Sequence, residues 1–311
     1  MLSPTTTVGP VRLFVPDLDR SRAFYEDVLG FALLKSEGDT LLLGVKDGTP
    51  LLELVERPTS IRPGRRSPGL FHFAVLFPSR AALGQELSHL IESGWRLSGA
   101  GDHLVSEALY LDDPDGNGIE LYADRPRETW KFVNGRVVMD TLSVDIDSLV
   151  AEGRTIETPW NGLPAGTIMG HVHLKVSDLA ATEKFYTDLI GFDLMETMAQ
   201  ALFVAAGGYH HHLGLNTWMS AGSPPVPEGA LGLDRITINV GDQSSFDEIV
   251  ARLGTAGVAV TPIGNGVLIA DPSQNRIKLQ PKEAPTSALS FGVVEPNRQR
   301  LPGLDRDRVV Q

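Results

Sequence analysis

A motif near the start of the chain returns in its second half, and this repeat limits the fold more than any other feature of the sequence. Residues 15–18 read Val-Pro-Asp-Leu and 24–31 read Phe-Tyr-Glu-Asp-Val-Leu-Gly-Phe, while 176–179 read Val-Ser-Asp-Leu and 185–192 read Phe-Tyr-Thr-Asp-Leu-Ile-Gly-Phe. Self-similarity at a fixed spacing is the signature of a repeated structural unit. The chain of 311 residues is therefore predicted to contain two related halves.

Each half divides once more. Strand-like stretches at 71–75 and 235–240 are each followed by a helical pattern, at 79–92 and 243–253. Each helix is followed by strand-like sequence that contains a Gly/Pro/Asn-type hairpin signal, Asp-Pro-Asp-Gly-Asn-Gly in one case and Asp-Pro-Ser-Gln-Asn in the other. We therefore predict four βαβββ modules, which span residues 8–57, 69–124, 168–219 and 231–282.

These modules predict an α+β fold with two tandem domains. The first domain is expected at 8–124 and the second at 168–282, with a polar connector at 125–167 that holds a short helix near Asp147, and a C-terminal extension at 283–311. A single module would expose an apolar sheet face, whereas two modules side by side can form a cup-shaped mixed sheet of about eight strands. Strand residues that face the inside of such a cup are held rigidly enough to bind a ligand.

The composition restricts the chemistry. The chain has no cysteine, so disulfides, thiolate nucleophiles and iron–sulfur ligation are excluded, and a metal would have to bind His, Asp or Glu. The net charge of −12 argues against a nucleic-acid partner and against docking on an anionic membrane. No stretch of 18 apolar residues suggests a membrane span. The simplest compartment for such a chain is a reducing cytoplasm.

The repeat also identifies equivalent positions, counted from the residue before each helix. In the first strand of the four modules these are Pro10, His72, His171 and Arg235, and in the last strand they are Glu53, Glu120, Gly214 and Lys278. Two imidazoles and one carboxylate come together only if the second and third modules share a cup. His72, His171 and Glu120 would then form a facial triad, which is diagnostic for non-haem Fe(II) oxygen chemistry.

An alternative pairing gives another site. If the first and second modules share a cup, Glu53, His72 and Glu120 would make a site with one histidine and two carboxylates. Both glutamates lie between apolar strand residues, where an unpaired carboxylate is costly to bury. Among the other histidines, His173 shares the strand face of His171 and is expected to shape the pocket, while His89 in the 79–92 helix is expected to be exposed.

The pattern resembles the vicinal oxygen chelate superfamily, whose members pair βαβββ modules around a metal. The resemblance covers nearly the whole chain and is sharpest between Gly101 and Glu120, where His103, Tyr110 and Asp-Pro-Asp-Gly at 113–116 fall at the spacing of the signature of type I extradiol ring-cleavage dioxygenases. This resemblance implies that Glu120 binds iron and that His103 and Tyr110 line the substrate pocket. It also matches His72 and His171 to the first-strand histidine ligands of the family.

A further histidine of that family lies in the last strand of the partner module. His211, in the run His-His-His-Leu-Gly at 210–214, matches it, and the resemblance implies that His211 is the acid/base residue. Strand alternation instead places His210 and His212 on the face of Gly214, so His212 is a second candidate. In two-domain members of that family, the two modules that bind the metal usually form the C-terminal half of the chain. Here the two metal-binding modules would be the second and third of four.

The function implied by the resemblance is ring cleavage of a catechol-type substrate by O2, dependent on Fe(II) or else Mn(II), to give a semialdehyde. Three alternatives stay open, namely a hydroquinone-cleaving dioxygenase, a glyoxalase-like isomerase or lyase that would favour Glu53 as a ligand, and a small-molecule binding protein without catalysis. No dinucleotide fingerprint follows a strand, so no nicotinamide or flavin is expected. The sequence leaves open whether the chain forms a homo-oligomer.

Overall fold

The fold is given by a computed structural model, which describes residues 1–282. The predicted C-terminal extension at 283–311 lies outside the described residues. Within residues 1–282 no helix is both long and apolar enough to cross a membrane.

The secondary structure follows the four predicted modules. A short strand precedes them, β1 (Thr7–Val8). The first module comprises β2 (Val11–Val15), α1 (Leu18–Ala23), β3 (Ala32–Glu37), β4 (Thr40–Gly44) and β5 (Pro50–Glu56). The second comprises β6 (Gly69–Leu76), α2 (Arg80–Ser93), β7 (Gly99–Asp102), β8 (Ser106–Asp112) and β9 (Gly118–Asp124). The connector holds β10 (Phe132–Val133), β11 (Arg136–Val137) and α3 (Ile146–Gly153). The third module comprises β12 (Ile168–Lys175), α4 (Leu179–Lys184), β13 (Asp193–Met198), β14 (Ala201–Ala205) and β15 (Leu213–Asn216). The fourth comprises β16 (Gly232–Asn239), α5 (Gln243–Thr255), β17 (Thr261–Ile263), β18 (Gly266–Ala270) and β19 (Arg276–Gln280).

Each module helix begins at a side chain that caps its first turn. The capping residues are Asp17, Ser79, Asp178 and Asp242, and each accepts a hydrogen bond from the backbone N–H three residues later. Such caps satisfy amide groups that the helix itself leaves unpaired. In the first and third modules the helix continues as a π-helical turn, at Phe24–Val28 and Phe185–Ile190, which is the repeated Phe-Tyr motif of the sequence.

The strands form two large mixed sheets. One has the order β13-β14-β15-β12-β6-β9-β8-β7, and the other has the order β17-β18-β19-β16-β2-β5-β4-β3 with β1 added beside β16. In both sheets two modules meet through an antiparallel pair of first strands, β6 with β12 and β2 with β16. The apolar faces of the strands pack against the helices in one large hydrophobic core.

The modules pair in the way that brings His72, His171 and Glu120 into one sheet. The second module pairs with the third and the first with the fourth, so the α+β fold of four βαβββ modules in cup-shaped sheets is confirmed. The division into domains at 8–124 and 168–282 stays a prediction. In the structure each of these stretches contributes one module to each sheet.

The hairpin before the last strand ties consecutive modules together. Asp113 is buried and accepts a hydrogen bond from the hydroxyl of Tyr25 at 2.9 Å, and Asp271 accepts the corresponding bond from Tyr186 at 3.2 Å. Each aspartate also accepts from the amide side chain of the asparagine four residues later. The Asp-Pro hairpin motifs therefore join modules within each half of the chain.

The connector packs beside the second module. Its helix α3 packs closely against α2 where Gly84 and Gly153 meet. A Cβ on either glycine would collide with the backbone of the other helix, so this close approach requires glycine at both positions. The expectation that His89 is exposed is wrong. The ring of His89 stacks on Trp160 of the connector at 3.4 Å between ring centres, which leaves the histidine only partly exposed.

Candidate metal centre

Three adjacent strands bring two histidines and one glutamate to a single point. Strand β6 carries His72 and lies between β9, which carries Glu120, and β12, which carries His171. Glu120 Oε2 lies 2.9 Å from His72 Nε2 and 3.2 Å from His171 Nε2. One potential ligand atom from each residue lies within 4.8 Å of the other two, and all three side chains are buried.

The protonation states of this group suit metal binding. Burial lowers the pKa of the His171 imidazole further than the Glu120 carboxylate raises it, so His171 is neutral at pH 7. Burial also raises the pKa of the Glu120 carboxyl, but His171 and His72 lower that pKa by more, so the carboxyl is ionised. A neutral imidazole and an ionised carboxylate are the forms that bind metals.

The donor set fits a divalent metal ion. His72 Nε2 is buried and makes no hydrogen bond of acceptable geometry, although it lies close to Glu120. A buried polar nitrogen without a partner is costly, and a metal ion at the point where the three donors converge would satisfy it. Two imidazole nitrogens and one carboxylate oxygen form the set that leaves open coordination positions on non-haem iron.

Tyr110 and His103 form a linked pair beside this centre. The rings of Tyr110 and His72 lie 5.7 Å apart, and the Tyr110 hydroxyl lies 2.7 Å from His103 Nε2. His103 Nδ1 lies 3.0 Å from the carbonyl oxygen of Asp140, which can only accept, so Nδ1 carries a proton. In the singly protonated ring, Nε2 then accepts from Tyr110. Burial and the Glu120 charge raise the pKa of the Tyr110 hydroxyl, which stays protonated.

Of the histidine run, His211 lies beside the predicted ligands. Its ring centre is 4.1 Å from that of His171 and 5.1 Å from that of Phe203. His212 instead accepts a hydrogen bond from the backbone N–H of Ala206 at 3.2 Å. Strand alternation misplaced these side chains because β15 begins only at Leu213, so the run precedes the strand.

His173 fills the space beside the centre, as expected from its strand face. Its ring contacts His72 at 5.1 Å between ring centres and three aromatic side chains, which are Phe71, Phe203 and Trp218. A Cβ on Gly214 would lie 2.9–3.0 Å from the His173 ring. The absence of a side chain at Gly214, where other modules carry Glu or Lys, therefore makes room for His173.

Glu53 lies in the other sheet and is not available to the triad. It accepts hydrogen bonds from Arg12 at 2.6 Å and from Arg235 at 3.2 Å. The alternative site of Glu53, His72 and Glu120 would need the first and second modules to pair, and the structure pairs the first with the fourth.

Sequence reasoning missed several residues near this centre. Asp124 at the end of β9 lies 3.0 Å from His210 Nε2, and the Trp130 ring from the connector lies 5.3 Å from that of His210. The histidine run was the signal for His210. No pattern marked Asp124, which is the last residue of β9, or Trp130, whose position depends on how the connector packs.

Comparison with known proteins agrees with this fold. The model of the glyoxalase/bleomycin resistance protein/dioxygenase superfamily matches residues 7–121 and again 168–279. The chain is similar in structure to a candidate dioxygenase from Bacillus subtilis subsp. subtilis str. 168, with a TM-score of 0.60, 14% identity, and coverage of 88% of this chain and 84% of the other. It is also similar to glyoxalase I from Zea mays, with a TM-score of 0.54, 16% identity, and coverage of 89% and 92%. At these identities the two structures show the fold alone.

A much nearer relative is catechol-2,3-dioxygenase of Bacillus subtilis (strain 168). The two sequences are 45% identical over 271 residues, which is 86% of this chain and 94% of the relative. Similarity of this extent, together with a family model that matches both halves, establishes the family. The resemblance noted in the sequence is thereby confirmed, and the chain belongs to the glyoxalase/bleomycin resistance protein/dioxygenase superfamily.

Proposed function

We propose that this protein is an Fe(II)-dependent extradiol dioxygenase that cleaves the aromatic ring of a catechol-type substrate with O2 to give a semialdehyde. The observation that carries the proposal is the convergence of His72, Glu120 and His171 within 4.8 Å in a buried cup. The relative at 45% identity is named catechol-2,3-dioxygenase, which supports this chemistry over other metal reactions on the same fold.

His72, Glu120 and His171 are the residues that would hold the metal. When bound, Fe(II) would supply open coordination positions for both catechol oxygens and for O2, and would lower the pKa of a catechol hydroxyl. A substrate held there lies among aromatic side chains, since Phe203 and His211 are in ring contact beside His171. The faces of these rings favour stacking of an aromatic substrate, and the apolar ring of Phe203 excludes water.

Tyr110 and His103 position the substrate. The Tyr110 hydroxyl donates to His103 Nε2, so the lone pairs of its oxygen remain available to accept from a hydroxyl group in the cup. His103 has both ring nitrogens engaged, by Tyr110 and by the Asp140 carbonyl. His103 therefore acts through Tyr110, and we do not expect it to contact the substrate directly.

His211 is the group that would move a proton. It is the partly exposed histidine beside His171, and burial together with the neighbouring histidines lowers its pKa, so it is neutral at pH 7. A neutral imidazole can take the proton that a catechol hydroxyl loses and return it to an oxygen of the opened ring.

Reconstitution tests the proposal. The protein is loaded with Fe(II) without air, catechol is added, and air is then admitted. We expect one equivalent of iron per chain and a yellow ring-fission product that requires both iron and O2. Parallel samples loaded with Mn(II) identify the metal that supports turnover.

Hydroquinone in place of catechol separates the two ring-cleaving reactions. Cleavage of hydroquinone alone would contradict the catechol assignment. Binding of catechol without oxygen consumption in every metal-loaded sample would overturn the dioxygenase and favour a binding protein. Isomerase activity on a hemithioacetal with Ni(II) or Zn(II) and no oxygen consumption would favour a glyoxalase-like enzyme.

A further inference from the structure

A chain of hydrogen bonds runs from the protein surface to His211. Asp124 Oδ1 lies 3.0 Å from His210 Nε2, and His210 Nδ1 lies 2.8 Å from His211 Nδ1. His210 is buried, with 1% of its side chain exposed, whereas the Asp124 side chain is 25% exposed. Two side chains, those of Asp124 and His210, thus connect solvent with the histidine beside the candidate metal centre.

The direction of each bond follows from what each atom can do. An ionised carboxylate only accepts, so His210 Nε2 carries the proton and donates to Asp124. If that is the one proton on its ring, His210 Nδ1 is unprotonated and can only accept. The contact at 2.8 Å therefore requires His211 to donate from Nδ1, which leaves the lone pair of His211 on Nε2.

The surroundings of His210 hold it in this arrangement. Its ring contacts Tyr209 at 4.1 Å, Trp130 at 5.3 Å and Tyr122 at 6.0 Å between ring centres. The hydroxyls of Tyr122 and Tyr209 lie 2.7 Å apart, so one of them donates to the other. A buried imidazole packed between aromatic rings and bonded at both nitrogens has little freedom to turn.

We propose that Asp124 and His210 are positioning residues that hold His211 in the tautomer with its proton on Nδ1. The unprotonated Nε2 is then the nitrogen that can accept a proton from a substrate in the cup. The inference rests on the proposed function, because a free Nε2 lone pair matters only if His211 accepts a substrate proton. Without the Asp124 carboxylate, the neutral ring of His211 would populate both tautomers, and only one of them is a base at Nε2.

The tautomer can be read directly. In full-length protein with 15N-labelled histidine and no iron, which would be paramagnetic, the ring-nitrogen shifts of His211 distinguish the protonated nitrogen from the unprotonated one. Comparison with His211→Asn and His210→Phe assigns the signals. We expect the Nδ1–H form in the wild type, and a mixture or the Nε2–H form in Asp124→Ala and in His210→Phe, which keeps the aromatic packing. Asp124→Glu restores a carboxylate and should recover the Nδ1–H form.

A matched control lies at the other end of the same hairpin. Asp112 ends β8, where it pairs with Gly118, and is exposed, while Asp124 ends β9, where it pairs with Ser106. Asp112→Ala should leave the His211 tautomer unchanged. In the iron-loaded enzyme, Asp124→Ala should lower kcat about 10- to 100-fold with little change in KM or iron content.

The two proposals can fail separately. A wild-type His211 in the Nε2–H form, or a tautomer that is the same in Asp124→Ala and His210→Phe, would overturn the positioning role even if catechol is cleaved. An enzyme that cleaves no ring in any metal-loaded form would overturn the proposed function, and the tautomer measurement would still report on the hydrogen-bond chain.

Discussion

The two sheets share one backbone plan and carry opposite chemistry at their centres. In both sheets a first strand pairs in parallel with the last strand of its own module, β6 with β9 and β16 with β19. At the positions of His72 and Glu120, the other sheet has Arg235 and Lys278. There the carboxylate of Glu53 is held between two arginines, whereas the carboxylate of Glu120 lies 2.9 Å from the imidazole of His72 and 3.2 Å from that of His171.

The difference shows what leaves a strand carboxylate available to bind a metal. Glu53 and Glu120 lie at the same register, so the backbone alone does not select one of them. The guanidinium groups of Arg12 and Arg235 occupy the oxygens of Glu53 and would repel a cation. The backbone is therefore alike in the two sheets, and a few side chains decide whether the centre of a sheet can bind a metal or is occupied by ion pairs.

Removing the carboxylate from each cup gives the largest contrast. Glu120→Gln should lose iron and reduce kcat to below about one-thousandth of the wild type, because the metal supplies several kcal/mol of charge stabilisation. Glu53→Gln should keep iron and activity. Metal analysis and oxygen uptake measure both effects. Full activity of Glu120→Gln, or loss of iron from Glu53→Gln, would break the comparison.

The two longer helices differ in a buried acid. Glu86 of α2 is buried and accepts from Trp160 Nε1 at 2.7 Å, whereas the equivalent residue of α5 is the buried Ile249. Burial raises the pKa of Glu86 to about 8, and only the Trp160 bond opposes it. The folded state thus favours the protonated form, and stability should be constant below about pH 4.5 and fall as the pH rises from there to about 8.

Glu86→Gln keeps an acceptor for Trp160 and removes this dependence. We expect the variant to be more stable than the wild type by about 5 kcal/mol at pH 9 and nearly equal to it at pH 4. Urea unfolding across this range measures the difference. A wild-type curve that parallels that of the variant from pH 4 to 9 would show that folding does not raise the pKa of Glu86.

The Asp-Pro hairpins should respond alike in the two sheets. Asp113→Ala leaves the Tyr25 hydroxyl and the Asn117 amide without their acceptor, and Asp271→Ala does the same to Tyr186 and Asn275. Each change should lower the free energy of unfolding by about 3 kcal/mol, because buried donors lose their partners. Thermal unfolding should give two similar shifts. A loss of stability in only one of the two variants would mean that the two hairpins are not structurally equivalent.

Filling the space at Gly214 should have the smallest effect. An alanine Cβ would press on His173 at 2.9–3.0 Å, and the ring must shift by a few tenths of an ångström. We expect a loss of about 1 kcal/mol in stability, as for mild overpacking, with iron retained. The metal content and the melting temperature of Gly214→Ala measure this, and loss of iron would show that His173 supports the ligands directly.

Much of this arrangement was predictable from the sequence, because the repeats set it. The predicted strands around 71–75 and 235–240 and the helices around 79–92 and 243–253 are all present, with Ser79 and Asp242 as caps. Pairing of the second module with the third was predicted because only these two modules together supply two histidines and a glutamate. Strands β6 and β12 do pair. The alignment of His72 with Glu120 came from the repeat, although these two residues are 48 positions apart and the equivalent residues of the other three modules are 43 apart.

The parts that were missed depend on contacts between distant segments. The face of the histidine run could not be read from alternation, because the strand begins after it, at Leu213. His89 looked exposed because nothing in its helix shows that Trp160 folds back onto it. The roles of Asp124 and of the Asp140 carbonyl also follow from tertiary contacts with residues far along the chain.

The pairing of β6 with β12 has a consequence for folding. Glu120 and His171 are separated by 51 positions, and the connector lies between them. The centre forms only after that loop closes, which costs chain entropy and slows folding compared with local contacts. Since neither half contains all three ligand residues, two fragments cut within 125–167 should each fail to bind iron and regain it on mixing, so that iron uptake would report the docking of one half on the other.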